Sequence, residues 1–229
     1  MIEYLFLDLD DTILDFRMAE RVALEKTLTA FQIPPTEERL QRFSTINMRC
    51  WKEAEQGLLT RERLKSIRFE QLFAEFHLDA DPLAVSDAYM IHLGQGHWFL
   101  PGAEEAVKRL SQKYRLFLAS NGTLSVQKGR MESAKLYPFF EKCFVSEELG
   151  AWKPHREFFT RAFAQIPGFD PSRAMMAGDS LRSDIQGGIN AGISTCWINT
   201  NGYPPRPNII PDYEIQSLSQ LEAILETIP

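Results

Sequence analysis

The segment "EYLFLDLDDTILDF", residues 3–16, decides how the rest of the chain is read. It is apolar from Tyr4 to Leu9 except at Asp8, and Asp8, Asp10 and Asp11 fall within four positions. A run that is apolar at both parities belongs to a strand covered on both faces, as in a parallel sheet. Carboxylates at its end repel one another and lose hydration if enclosed, unless a cation or hydrogen bonds compensate. The cluster is therefore either a solvated turn ahead of a helix or a cation site, and on this motif alone the two weigh alike. Asp8 and Asp10 are two apart and leave the same face of an extended chain, whereas Asp11 leaves the other. A hard cation such as Mg²⁺ takes oxygen ligands and keeps several waters, so one or two of these carboxylates with another from elsewhere would make a site.

Working outward, four more segments read as strands: "YRLFLAS" (114–120), "KCFVS" (142–146), "RAMMAGDS" (173–180) and "STCWIN" (194–199). Helical patterns lie between them at 102–112, 123–134, 154–166 and 183–192. Strand alternating with helix predicts an α/β fold with a doubly wound, Rossmann-like parallel sheet and helices on both faces. Residues 17–94 break that rhythm with four helical stretches, near 17–31, 36–56, 60–76 and 81–93, where Thr60 is a plausible N-cap. The expected organisation is thus an α/β core of residues 1–16 and 95–229 with an all-helical domain, 17–94, inserted after the acidic strand end. Such an insert would lie above the carboxyl edge of the sheet, where open α/β folds bind ligands. "GYPPRPNIIP" (202–211) reads as a Pro-rich surface loop.

Composition narrows the partners. With 229 residues, 44% of them hydrophobic, the chain is long enough for one core and a smaller satellite. A formal charge of −6 argues against a nucleic-acid polymer or an anionic membrane as partner. No run of 18 apolar residues occurs and the chain opens on a strand-like segment, so the expected location is the cytoplasm, as a monomer or homodimer. Cys50, Cys143 and Cys196 have no metal-finger spacing and are expected to be buried thiols. His77, His92, His97 and His155 likewise have no ligand spacing. Phe16, Trp51, Trp98 and Phe99 are apolar candidates for contacting a flat ligand, although aromatics at helical spacing more often belong to a core.

The remaining strand ends carry chemistry. "LASNG" offers the Ser120 hydroxyl, then Asn121 and Gly122, whose N–H groups suit an anion ahead of a helix; the alternative is a helix-capping turn. "GAWKPHREFF" sets Lys153 before Pro154, either a point charge for phosphate or a surface lysine. "AGDSLRSDIQGGINAG" places Asp179 at a strand terminus and Asp184 five residues later, where it also serves as a helix cap. Gly187, Gly188 and Gly192 in the same stretch suit close helix packing and a helix C-cap. In this order and context the four motifs resemble those of the haloacid dehalogenase-like hydrolase superfamily, and the insert resembles its first, helical cap type. "SEELGAWKP", "SDIQGGINAGISTCWIN" and "CWKEAEQGLLT" further resemble the subgroup of pyrimidine nucleoside 5′-monophosphate phosphatases.

The resemblance implies a Mg²⁺-dependent phosphatase acting on a small phosphate ester, a nucleoside monophosphate. It implies Asp8 as nucleophile and Asp10 as general acid and base. Mg²⁺ would be held by the Asp8 carboxylate, the Asp10 carbonyl and Asp179, with Asp184 supporting them. Ser120, the Asn121 N–H and Lys153 would hold the phosphate oxygens. A sugar-phosphate phosphatase or a phosphomutase shares all four motifs. A dehalogenase would need no leaving-group acid at Asp10, and a non-catalytic scaffold would need neither Asp8, Asp10 nor Lys153.

Overall fold

Strand β1 (Tyr4–Leu7) lies inside a six-stranded sheet in the computed structural model, which describes residues 1–228. The others are β2 (Arg115–Ser120), β3 (Lys142–Val145), β4 (Ala174–Gly178), β5 (Ser194–Ile198) and β6 (Tyr213–Ile215). Every pairing is parallel and the order is β3-β2-β1-β4-β5-β6. The chain winds outward from β1 to β3, then returns to β1's other side with β4. The order therefore reverses between β1 and β4, and a crevice opens there at the carboxyl ends of an open α/β sheet.

The continuous apolar run of β1 is explained by its two covered faces. Leu5 and Leu7 join Leu116, Leu118, Met175 and Ala177 in one core, while Tyr4 and Phe6 join Phe117, Ala119, Phe144 and Met176 in another. The helical insert comprises α1 (Phe16–Ala30), α2 (Glu37–Glu55), α3 (Arg61–Phe76) and α4 (Pro82–Leu93). The remaining helices are α5 (Ala103–Leu110), α6 (Leu124–Ser133), α7 (Ser146–Leu149), α8 (Arg156–Phe163), α9 (Gln186–Ala191) and α10 (Leu221–Leu225). Residues from α5, α6 and α10 pack into the first core, and residues from α8 and α9 into the second. This is a doubly wound, Rossmann-like sheet.

The chain divides into two units, Met1–Asp15 with the chain from His97 onward, and Phe16–Gly96. Within the second, Thr36 and Thr60 cap α2 and α3 through their side chains, and Phe43, Phe69 and Tyr89 form an aromatic centre. A buried polar chain crosses that centre: Arg68 donates to Asn47 Oδ1 at 2.8 Å and Asn47 Nδ2 donates to Glu20 at 2.6 Å. In the sheet unit Phe99 packs against the first core, whereas Trp51 on α2 is half-buried.

One expectation is revised, and one strand goes beyond the sequence reading. Cys143 is only half-buried because it lies on β3, an outer strand, while Cys50 and Cys196 are buried. The Pro-rich loop leads into β6, a three-residue edge strand too short to show an alternating pattern. Among the described residues no helix is long and apolar enough to cross a membrane.

Candidate active site

Asp8 follows the last residue of β1, Asp179 follows β4, and Ser120 ends β2, so each stands at a carboxyl strand end beside the reversal of strand order. Asp184 joins them through one turn of π-helix, Leu181–Ile185, in which the N–H groups of Asp184 and Ile185 both reach Ser180 O. One carboxylate oxygen from each of Asp8, Asp179 and Asp184 lies within 4.8 Å of the others. The Asp184 carboxylate folds over Gly178, where an added Cβ would stand 2.3 Å from Oδ2, so β4 needs a residue without a side chain at this point.

Lys153 lies in the middle, 1% exposed. Its Nζ donates to Asp8 Oδ1 at 2.7 Å, Asp184 Oδ1 at 2.6 Å and Ala119 O at 2.5 Å. An ammonium has three donors, and all three are engaged. A phosphate oxygen must displace one of these acceptors to bond Lys153 directly. Asn121 holds the backbone of Lys153 by a reciprocal pair, accepting from Lys153 N at 2.8 Å and donating to Lys153 O at 2.9 Å. The peptide that follows, Lys153–Pro154, is cis.

Burial dominates the electrostatics of these groups. Burial pushes the Asp8 carboxyl up to about 7 against the pull of Lys153, with Asp184 adding to the rise. Burial, and then the charges of Asp184, Asp8 and Asp11, hold Asp179 well above the ordinary carboxylate range. Against the penalty of burial, Asp184 and Asp8 keep the Lys153 ammonium above its usual value. Three carboxylates thus converge, two of them bonded to Lys153, and a hard divalent cation suits such an oxygen set. Asp179 is fixed by its main chain: its N–H donates to Thr12 Oγ1 at 3.1 Å, and its carbonyl accepts from Trp197 Nε1 at 2.8 Å.

Asp10 stands apart from this group. β1 ends at Leu7 and the chain then turns, so two-residue spacing no longer gives a shared face, and the Asp10 side chain is not in the acidic cluster. Its Oδ1 meets the Arg130 guanidinium, and its Oδ2 accepts from Gln127 Nε2 at 2.6 Å. Asp11 takes a left-handed backbone, φ 56°, yet its charge still bears on Asp179. The N-terminus of α6, expected to cradle an anion, already has one: Leu124 N–H donates to the Glu147 carboxylate at 2.6 Å, and Gly122 N–H donates to Ser120 Oγ at 3.1 Å.

Sequence reasoning missed Gln127, Arg130, Thr12, Trp197 and Glu147. The available signal was on α6, where Gln127 and Arg130, one turn apart, share a buried flank with Val126 and Met131. As expected, Gly187 and Gly188 permit close packing, against Phe159 and against Thr195 and Met176, and Gly192 ends α9 with φ 74°.

Known proteins match this arrangement. The family profile described as haloacid dehalogenase-like hydrolase covers residues 2–192. The HAD-hydrolase YfnB of Bacillus subtilis is 39% identical over 221 residues, which is 96% of this chain and 94% of YfnB. The crystal structure of YfnB bound to magnesium, which reveals interdomain movement in that protein, superposes with a TM-score of 0.93 at 38% identity over 99% of each chain. The pyrimidine 5′-nucleotidase PynA of Streptococcus pneumoniae is 34% identical over 96% of this chain and 93% of its own. The pyrimidine 5′-nucleotidase YjjG of Escherichia coli is 30% identical over 97% of each. With its strand ends and these full-length matches in agreement, the chain belongs to the haloacid dehalogenase-like hydrolase family and is an enzyme.

Proposed function

We propose that this hydrolase is a Mg²⁺-dependent phosphatase of nucleoside 5′-monophosphates, pyrimidine nucleotides foremost, working through an aspartyl-phosphate on Asp8. The observation that carries the reading is the charge balance at the strand ends. Asp8, Asp179 and Asp184 bring carboxylate oxygens within 4.8 Å of one another, Asp8 and Asp184 are paired with Lys153, and burial raises the Asp8 and Asp179 carboxyls. The names of PynA and YjjG, matched over nearly their whole length, support the substrate class.

In the proposed reaction an Asp8 oxygen attacks phosphorus as the bond to the nucleoside oxygen breaks, leaving an acyl phosphate. Asp10 gives its proton to the departing oxygen. It then takes a proton from the water that attacks the same phosphorus, releasing phosphate and restoring the Asp8 carboxylate. For Asp10 to carry a proton its Oδ1 has to part from Arg130, while Oδ2 keeps its bond from Gln127 Nε2. Ser120, the Asn121 main-chain N–H and the charge of Lys153 bear on the non-bridging oxygens. Asp8, the Asp10 carbonyl and Asp179, with Asp184 behind them, would hold Mg²⁺, whose charge would offset the repulsion between the attacking carboxylate and the phosphate. The helical insert is proposed to act as a cap that selects the substrate.

The test is phosphate release from dUMP, dTMP, UMP, AMP and sugar phosphates, with Mg²⁺ and with a chelator. The expected result is Mg²⁺-dependent turnover with pyrimidine nucleotides fastest. A preference for a hexose phosphate would make this a sugar-phosphate phosphatase, and dependence on a hexose bisphosphate a mutase. Failure to release phosphate from any ester would overturn the reading. Dehalogenation is not favoured, since it gives Asp10 and Asp179 no work.

A further inference from the structure

We infer that Gln127 is a positioning residue, one that prepares Ser120 as a pure hydrogen-bond donor and sets the Asp10 carboxylate; the inference rests on the phosphatase reading above. The Gln127 amide nitrogen donates at 2.7 Å to Ser120 Oγ and at 2.6 Å to Asp10 Oδ2. A primary amide nitrogen has two protons, and both are committed. Turning the amide over would set its carbonyl against Asp10 Oδ2, which is an acceptor whether or not Oδ1 carries a proton, so Asp10 fixes the orientation.

The consequence falls on Ser120, which is 1% exposed at the end of β2. A hydroxyl accepts through two lone pairs and donates one proton. Gln127 Nε2 occupies one lone pair and Gly122 N–H, at 3.1 Å, the other. The proton has no acceptor among the described residues. Ser120 is left able only to donate, which is the property a phosphate oxygen requires.

Two further observations separate this role from packing. Gln127 is buried, yet its Oε1 has no hydrogen-bond partner among the described residues. A methionine or leucine would fill the space without enclosing an unmet carbonyl, so the amide is a structural loss that only Nε2 offsets. Gly122 makes room for that amide, because a Cβ there would stand 2.4 Å from Nε2. One nitrogen joins the group that holds the phosphate to the group that protonates the leaving oxygen.

The experiment uses Gln127→Met, close in size and without donors, and Gln127→Glu in case the first does not fold. Wild type and variants are checked by thermal unfolding. Each is then assayed with Mg²⁺ on dUMP and on p-nitrophenyl phosphate, and titrated with inorganic phosphate by calorimetry. Losing the orientation of Asp10 should lower kcat on dUMP by about 10²-fold, the scale of a misplaced catalytic group. The loss on p-nitrophenyl phosphate, whose leaving group needs little acid, should be clearly smaller. Loss of Ser120 as an aligned donor to an anion should weaken phosphate binding about tenfold. In a Ser120→Ala background Gln127→Met should have no further effect on phosphate affinity, because the two act through one bond. A residue that only packs would lower the Tm and leave both the dUMP-to-p-nitrophenyl ratio and the phosphate affinity unchanged, which would overturn the inference. A wild type that neither hydrolyses phosphate esters nor binds phosphate would instead overturn the phosphatase reading, and this inference with it.

Discussion

Lys153 sets the energetics of the site, because its three protons hold together Asp8, Asp184 and the end of β2. Asp8→Asn should abolish phosphate-ester turnover and leave the fold intact. The amide removes a charge that burial opposes, while Lys153 keeps Asp184 and Ala119 O. Phosphate release measured beside thermal unfolding checks it, and substantial Mg²⁺-dependent activity in the variant would remove Asp8 as nucleophile. The same burial gives a pH signature. Asp8 titrates at about 7 in the fold without Mg²⁺, against an ordinary 3.8, and Asp179 shifts the same way. Between those values these carboxyls hold more protons in the folded state than in the unfolded one, so their contribution to stability falls as pH rises from about 4 through 7. Mg²⁺ needs ionised oxygens and binds only the fold, so its stabilisation should be small at pH 5 and larger at pH 8. Each 1 kcal/mol of it appears as about 2–4 °C in Tm. Equal Mg²⁺ shifts at the two pH values would show that the cation does not bind at these carboxylates. Asp8, Ser120 and Asp179 stood out because each follows or ends an apolar run, Lys153 because it precedes Pro154, and Asp184 because it opens a helical pattern. Gln127 and Arg130 were not, since a polar residue inside a helix reads as solvated until tertiary packing encloses it.

Elements fix what single residues leave open. The turn Leu181–Ile185 brings Asp184 back under β4, where Lys153 holds Oδ1 at 2.6 Å and Ser180 N–H holds Oδ2 at 3.0 Å. Because Asp184 is pinned at both oxygens, Gly178→Ala cannot be absorbed by swinging the carboxylate aside: the new Cβ would lie 2.3 Å from Oδ2. The expected result is a loss of about 1–3 kcal/mol of stability, the usual range for overpacking, together with weaker Mg²⁺ binding. Urea unfolding and Mg²⁺ calorimetry on the same preparation check it; wild-type Mg²⁺ affinity in the variant would show that Asp184 does not support the cation. Five of the six strands were legible from apolar runs at both parities, which only a doubly covered sheet explains. β6 was not, because three edge residues carry no period. The turn of Asp10 was not either, since where a strand stops depends on its neighbours: β1 pairs with β2 and β4 from Tyr4 to Leu7, and after the Asp8 N–H bond to Ala177 O the chain turns.

At the scale of the whole molecule, the chain leaves the sheet unit at Asp15 and returns at His97. The two passages run side by side: Leu14 bridges Phe99, Asp15 N–H donates to Trp98 O at 2.8 Å, and Leu100 N–H donates to Ile13 O at 3.0 Å. The ends of the insert are therefore held together within the sheet unit, so any segment whose own ends lie close can replace it at little cost in loop-closure entropy. The insert carries its own aromatic centre and its own buried Glu20–Asn47–Arg68 chain. This permits a separation of chemistry from selection. If the insert selects the substrate, exchanging residues 16–96 for the insert of a sugar-phosphate phosphatase of the same family should raise kcat/KM for sugar phosphates relative to pyrimidine nucleotides by about tenfold or more, since a few contacts worth 1–3 kcal/mol suffice. Asp8, Asp10, Lys153 and Asp179 stay in place, so p-nitrophenyl phosphate, which has little for a specificity pocket to grip, should be hydrolysed at a rate close to wild type. The measurement is a kcat/KM profile over dUMP, UMP, glucose 6-phosphate and p-nitrophenyl phosphate, taken after thermal unfolding confirms that the chimera is folded. A folded chimera that keeps nucleotides ahead of sugar phosphates by the wild-type margin would assign selection to the sheet unit itself, where the loops after β4 and β5 would become the place to look.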